Sequence, residues 1–123
     1  MRAGDRVAML AGNDDRLVQA LFACWWLGAV ACPLNVRWSA PELAHALDNC
    51  APSLLLMDEA LASRVLPSGA VACVGLDAFA ASAAERAPMP DSRTNGAAPA
   101  VILYTGGTTA RSKGVVLTHA NFW

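Results

Sequence analysis

Residues 102–115 read ILYTGGTTARSKGV, an apolar run that changes within a few positions to glycine, threonine and two cations. Gly106 and Gly107 let a backbone turn sharply and bring its amides close to a ligand with no Cβ in the way. Thr105, Thr108 and Thr109 add hydroxyl donors, and Arg111 and Lys113 add positive charge. Amides, hydroxyls and cations converging on one loop meet the needs of a polyphosphate, because each oxygen takes a donor and the charge takes neutralisation. The same composition also suits a plain Gly-Gly turn between two strands, and residue types alone leave both readings open. The spacing is not that of a Walker A loop, since Gly114 and not Ser or Thr follows Lys113, and it is not GxGxxG either.

The surrounding elements decide where such a loop would sit. RVAML at 6–10 and VACPLN at 30–35 are short apolar runs with a helical stretch between them, a βαβ pattern. Asn13, Asp14 and Asp15 supply a helix cap and an acidic first turn, and Gly28 suits the helix C-terminus. SAPE at 39–42 is a capping box that opens a helix over ELAHALDN, which Pro52 stops. SLLLMD at 53–58 predicts a strand, EALASRVL a helix, AVACVG at 70–75 a strand and LDAFAASAAE a helix. The segment RAPMPDSRTNGAAP at 86–99 reads as an irregular connection to the strand AVILYT. GVVLT predicts a further strand after the loop, with Thr118 capping a short helix over HANFW. Nearly continuous apolar strands alternating with helices imply an α/β fold, a mostly parallel sheet with helices on both faces. Ligands in such sheets bind beyond the carboxyl ends of the strands, where residues 105–113 should lie.

At 123 residues the chain is the size of one domain, able to bury roughly two-thirds of its unfolded surface. Its hydrophobic fraction of 55% and mean hydropathy of +0.37 are high for a body of that size and imply part of a larger one. A net charge of -1 and pI near 6.0 provide no long-range field for nucleic acid or anionic lipid. The segment LVQALFACWWLGAVACPL at 17–34 barely reaches membrane-spanning length and carries Gln19, Gly28 and Pro33, so a helix covered on most sides, followed by a strand, fits better. Cys24, Cys32, Cys50 and Cys73 form no CxxC pair and read as buried reduced thiols. Asp5 and Arg6 stand where the apolar core of a secretory leader would begin, so a reducing cytoplasm is expected.

With these residues in place, YTGGTTARSKGVVLTHAN at 104–121 resembles the phosphate-binding motif of the adenylate-forming enzymes, YTSGTTGxPKGVxLTHxN. That superfamily comprises acyl-CoA synthetases, nonribosomal peptide synthetase adenylation domains and luciferases. Upstream, GDRVAMLAGND, LGAVACPLNVRWSAPELAHAL and LLLMDEAL resemble, in order, the segments that precede the motif in acyl-CoA synthetases. The resemblance implies an AMP-forming acyl- or aryl-CoA ligase using ATP, Mg2+ and coenzyme A to activate a small-molecule carboxylic acid. Thr105, Gly106, Gly107, Thr108, Thr109 and Lys113 would line the β- and γ-phosphates and steady the departing pyrophosphate. Asn35 in PLNVR, where peptide synthetases tend to have Asp, favours the CoA ligases over a peptide synthetase adenylation domain. A degenerate, non-catalytic fragment is the other alternative.

Three positions depart from the motif: Gly106 replaces a serine, Ala110 a glycine and Ser112 a proline. Gly106 removes one hydroxyl donor, and Ala110 is strained wherever the backbone needs a positive φ. The family's metal-holding acid, ribose-binding aspartate, acyl pocket and adenylation lysine all follow this motif. No catalytic or metal-binding residue is therefore expected in residues 1–123, which read as a partial N-terminal subdomain, cut at both ends and inactive without the remainder of the synthetase. Trp25 and Trp26 read as core or domain contacts, His45 as a surface or half-buried residue, and Asn35 and Arg37 as a turn. Asp14 and Asp15 favour a helix N-terminus over acid-base catalysis, and His119 belongs to the motif without a clear claim on the loop.

Overall fold

The computed structural model describes residues 1–65, 71–87, 90, 96–106 and 112–122. Along the chain come β1 (Arg6–Leu10), α1 (Asp15–Trp26), β2 (Val30–Pro33), α2 (Ala40–Cys50), β3 (Leu54–Met57) and a 3-10 helix (Glu59–Arg64). These are followed by β4 (Ala72–Gly75), α3 (Leu76–Ala84), β5 (Pro99–Thr105), β6 (Lys113–Thr118) and a second 3-10 helix (His119–Phe122). The strands form one sheet in the order β4-β3-β1-β2-β5-β6. Every neighbouring pair is parallel except β5 and β6, which run antiparallel.

Strand β1 is apolar at every position after Arg6 because both of its faces are covered. Val7, Met9 and Ala11 pack with Ala20 and Cys24 of α1 and Leu76 of α3, while Ala8 and Leu10 pack with Leu43, Ala46 and Cys50 of α2. The period of two sends alternate side chains into two separate cores, so the expected helices on both faces are present.

Local signals set the helix ends. Asp14 caps α1, its Oδ1 accepting the Leu17 amide at 3.1 Å, and Gly28 takes φ +68° just past the helix end. At α2, Glu42 Oε2 accepts from the Ser39 amide at 2.7 Å and its hydroxyl at 2.6 Å, as the SAPE pattern predicts. The far end of α2 is held by Arg6, whose guanidinium donates to the Cys50 carbonyl and, at 2.9 Å, to that of Ala51. A cation on the last carbonyls satisfies groups a helix end leaves bare.

Two expectations need correction and a third is sharpened. Helix α1 is not covered on most sides: Val18, Phe22 and Trp26, four residues apart, are 50%, 60% and 44% exposed. It rides on one face of the sheet, so only the stripe through Ala20 and Cys24 is buried. The residues after β3 form a 3-10 helix because Leu61 packs under α2 and Arg64 donates to the carbonyls of Val36 and Trp38; these anchors outweigh α propensity. Among the thiols, Cys24, Cys32 and Cys50 are buried, but Cys73 lies exposed on edge strand β4. No helix among the described residues is long and apolar enough to cross a membrane.

Burial also pushes the Cys24 thiol up to about 12. Alkylation of the native protein is expected to modify Cys73 alone, with the other three reacting only after denaturation. Peptide mass mapping of the two samples checks this.

Candidate functional site

Because β1 to β5 are parallel, their carboxyl ends share one edge of the sheet, and Thr105 closes β5 there. Strand β6 returns from that edge starting at Lys113, which is paired directly opposite Thr105. Opposed residues of an antiparallel pair point to the same face, with Cβ atoms about 5 Å apart. A hydroxyl and an ammonium therefore stand together at the mouth of the connecting loop, both exposed. Gly106 is open as well, a Cβ there meeting nothing within 4 Å. Gly107, Thr108 and Thr109, with Ala110 and Arg111, lie outside the described residues. Thr105, Gly106 and Lys113 carry no ion pair with any described residue. A hydroxyl, an approachable backbone and a cation, with no carboxylate among the described residues bound to them, form a donor set suited to an anion.

Reasoning from residue types passed over the residue just before Thr105. Tyr104, the one tyrosine of the chain, is half-buried against α2, its hydroxyl 3.0 Å from the Ala46 carbonyl and 2.9 Å from Asn49 Oδ1. The Trp38 ring meets it edge-on, centroids 5.8 Å apart. Its place in the motif was the available signal; its partners, far away in sequence, gave none.

The other end of the same edge is occupied by charge. Arg16 Nη2 donates to Asp14 at 2.5 Å and to Asp58 at 3.0 Å, and Nη1 donates to Asp77 at 2.5 Å. Asp58 also accepts the Gly12 amide at 2.8 Å. One guanidinium thus ties together the start of α1, the end of β3 and the start of α3, which makes Asp14 structural, as expected. Its carboxyl is held below the ordinary 3.8, chiefly by hydrogen bonds from Arg16 and the Leu17 amide. A folded-state value below the unfolded one means that the stabilisation is complete above the unfolded value and lost as pH falls through the folded one. The gap in urea midpoint between wild type and Asp14→Asn is therefore expected to narrow on acidification from about pH 6 to about pH 3.

His119 lies at the opposite edge, just past the end of β6 and about 20 Å from Lys113 at the usual rise per residue. Its amide donates to Ala98 at 3.1 Å and its ring faces Trp25 at 6.0 Å. Trp25 is a core contact, donating to the Ala100 carbonyl at 3.1 Å, and Asn35 Oδ1 accepts the Arg37 amide at 2.9 Å to form the expected turn. His45 is half-buried on α2. Among the described residues no three His, Cys, Asp or Glu side chains converge into a metal site.

A mostly parallel sheet flanked by helices, closed by one antiparallel strand pair whose stem opens at the carboxyl edge, defines an α/β fold. The chain belongs to the AMP-binding enzyme family, which matches it over residues 1–123. It is 39% identical over 121 residues to a feruloyl-CoA synthase of an Amycolatopsis species, covering 98% of this chain and 24% of that one. It is 35% identical over 123 residues to a 2-succinylbenzoate–CoA ligase of Bacillus velezensis, covering 100% of this chain and 25% of that one. The inhibitor-bound N-terminal domain of FACL13 from Mycobacterium tuberculosis superposes with a TM-score of 0.85 at 32% identity, over 97% of this chain and 32% of that one. The chain thus spans about a quarter of the length of the curated relatives it matches.

Proposed function

We propose that residues 1–123 are a partial N-terminal subdomain of an AMP-forming acyl- or aryl-CoA ligase and carry its ATP phosphate loop. The observation that carries this reading is the hairpin stem that sets Thr105 and Lys113 opposite each other at the carboxyl edge of the sheet. Ligases of this kind join a carboxylic acid to AMP with release of pyrophosphate and then pass the acyl group to the thiol of coenzyme A. The part proposed for this chain is charge stabilisation of the pyrophosphate as negative charge gathers on it, by Lys113, the Thr105 hydroxyl and the backbone at Gly106, joined on the strength of the motif by Gly107, Thr108 and Thr109, which lie outside the described residues. Mg2+ would accompany the phosphates, held by groups other than the described residues. The names of the curated relatives support an aryl or acyl acid as the substrate. The exposed stripe Val18, Phe22 and Trp26, together with Leu103, Val115 and Val116 on β5 and β6, supports the subdomain reading, since such surfaces are costly to leave in water.

The test is acid-dependent exchange of labelled pyrophosphate into ATP. A complete ligase bearing this sequence is expected to exchange with one or more members of a panel of aryl and acyl acids. Residues 1–123 alone are expected to give none, because the ribose-binding and acid-binding groups of such ligases follow this motif in the family. A complete protein inert toward the whole panel would remove the ligase reading, and exchange by the 123-residue chain would remove the subdomain reading.

A further inference from the structure

We propose that Asn49, Tyr104 and Gly114 form a clamp that positions the stem of the phosphate loop, an inference that rests on the phosphate-binding reading above. Strand β6 is the edge of the sheet and has β5 as its one neighbour. Beyond Val101, the β5 residue paired with β2, the stem continues toward the loop as β5 and β6 alone, and a two-stranded ribbon is marginal by itself, so that part of the stem needs an anchor to a rigid element. Tyr104 supplies one. Its ring crosses from β5 to α2, where one hydroxyl proton is shared between the Ala46 carbonyl and Asn49 Oδ1, with Trp38 against its side.

The opposite strand makes room for this crossing. Gly114 is paired directly with Tyr104. A Cβ at position 114 would stand 2.9 Å from Ile102 Cγ2, 3.4 Å from Asn49 Oδ1 and 3.4 Å from Tyr104 Cε1. A side chain at 114 would thus press first on Ile102 and come into contact with both Tyr104 and Asn49, so glycine leaves their packing undisturbed. The anchor point is itself fixed, because Arg6 of central strand β1 holds the carbonyls of Cys50 and Ala51 next to Asn49. The pair that follows Tyr104 and Gly114 toward the loop is Thr105 and Lys113. The clamp therefore acts through the backbone on the two described side chains of the phosphate site, and its members are positioning residues.

The experiment titrates the 123-residue chain with inorganic pyrophosphate and follows the backbone amide resonances of Thr105, Gly106 and Lys113. It compares wild type with Tyr104→Phe, Asn49→Ala, the double variant and Lys113→Ala, at a temperature where all show native shift dispersion. Each single clamp variant is expected to weaken pyrophosphate binding about 3- to 10-fold, the worth of one hydrogen bond. The double variant is expected to be no weaker than the worse single one, and the free-state shifts of Thr105 and Lys113 should move in all three. A purely structural role would lower the melting temperature and leave the affinity of the folded protein unchanged. Weakened binding in Lys113→Ala with unchanged affinity in both clamp variants would overturn the clamp and keep the phosphate site, as would additive losses. No pyrophosphate binding by wild type would overturn both. Asn49 is an exposed helix position, so Asn49→Ala still decides the matter if Tyr104→Phe does not fold.

Discussion

On the ligase reading proposed above, replacing Lys113 by alanine in a complete protein bearing this sequence is expected to slow acid-dependent pyrophosphate exchange about 10²- to 10³-fold, the usual loss when one preorganised charged donor is removed. The size follows from where the charge develops. Pyrophosphate carries more negative charge as a leaving group than as the end of ATP, so an ammonium aimed at it stabilises the transition state more than the bound substrate. The loss should therefore appear in kcat more than in KM for ATP. Lys113 begins β6 opposite Thr105 and carries no ion pair with any described residue, so its charge is not committed to the fold. Arginine at the same place keeps the charge but not the compact head group, and Lys113→Arg should recover part of the rate. Steady-state exchange kinetics on the two variants check this, and an unchanged rate in Lys113→Ala would take the residue out of the site.

What could be read in advance was what neighbouring residues decide between themselves. The capping box at Ser39 and Glu42 is a reciprocal contact within one turn, and it forms as its spacing predicts. Strand β1 is apolar at successive positions, which a strand open to water on one face would not be, and its two cores confirm burial on both sides. The two strands joined by the glycine loop were legible, whereas the opposition of Thr105 and Lys113 is a matter of register and was not. Matters decided by distant partners were not legible. Trp26 and Trp25 are adjacent and chemically alike, yet one donates to Ala100 in the core and the other is 44% exposed, because the helix turns by 100° between them. Cys73 is exposed because β4 happens to be the edge strand, a property of the strand order and not of the residues around it. Tyr104 meets Asn49 across 55 positions of sequence, beyond any local pattern. Gly107, Thr108 and Thr109 lie outside the described residues, so their part in the loop rests on the motif alone.

A chain this rich in apolar residues makes a sharp test of which of them hold it together. Leu10→Ala is expected to destabilise the protein by about 3–5 kcal/mol, at the upper end for a buried leucine. Leu10 is 0% exposed at the end of β1 and packs on the α2 side with Leu43, Ala46 and Leu55. Strand β1 is bonded on both sides, to β2 and β3, so neither neighbour can close in on the space left behind without breaking a ladder. Phe22→Ala removes a larger side chain from α1 but one that is 60% exposed, and its cost should stay within about 0.5–1 kcal/mol. A typical domain has only about 5–15 kcal/mol in total, so Leu10→Ala should shift the urea midpoint strongly while Phe22→Ala hardly moves it. Equal shifts would mean that α1 buries Phe22 and not the stripe through Ala20 and Cys24, which would overturn the assignment of the two cores. The contrast also bears on the subdomain reading, since a surface that Phe22 shares with further polypeptide would cost nothing here and would make Phe22→Ala destabilising only in the complete ligase.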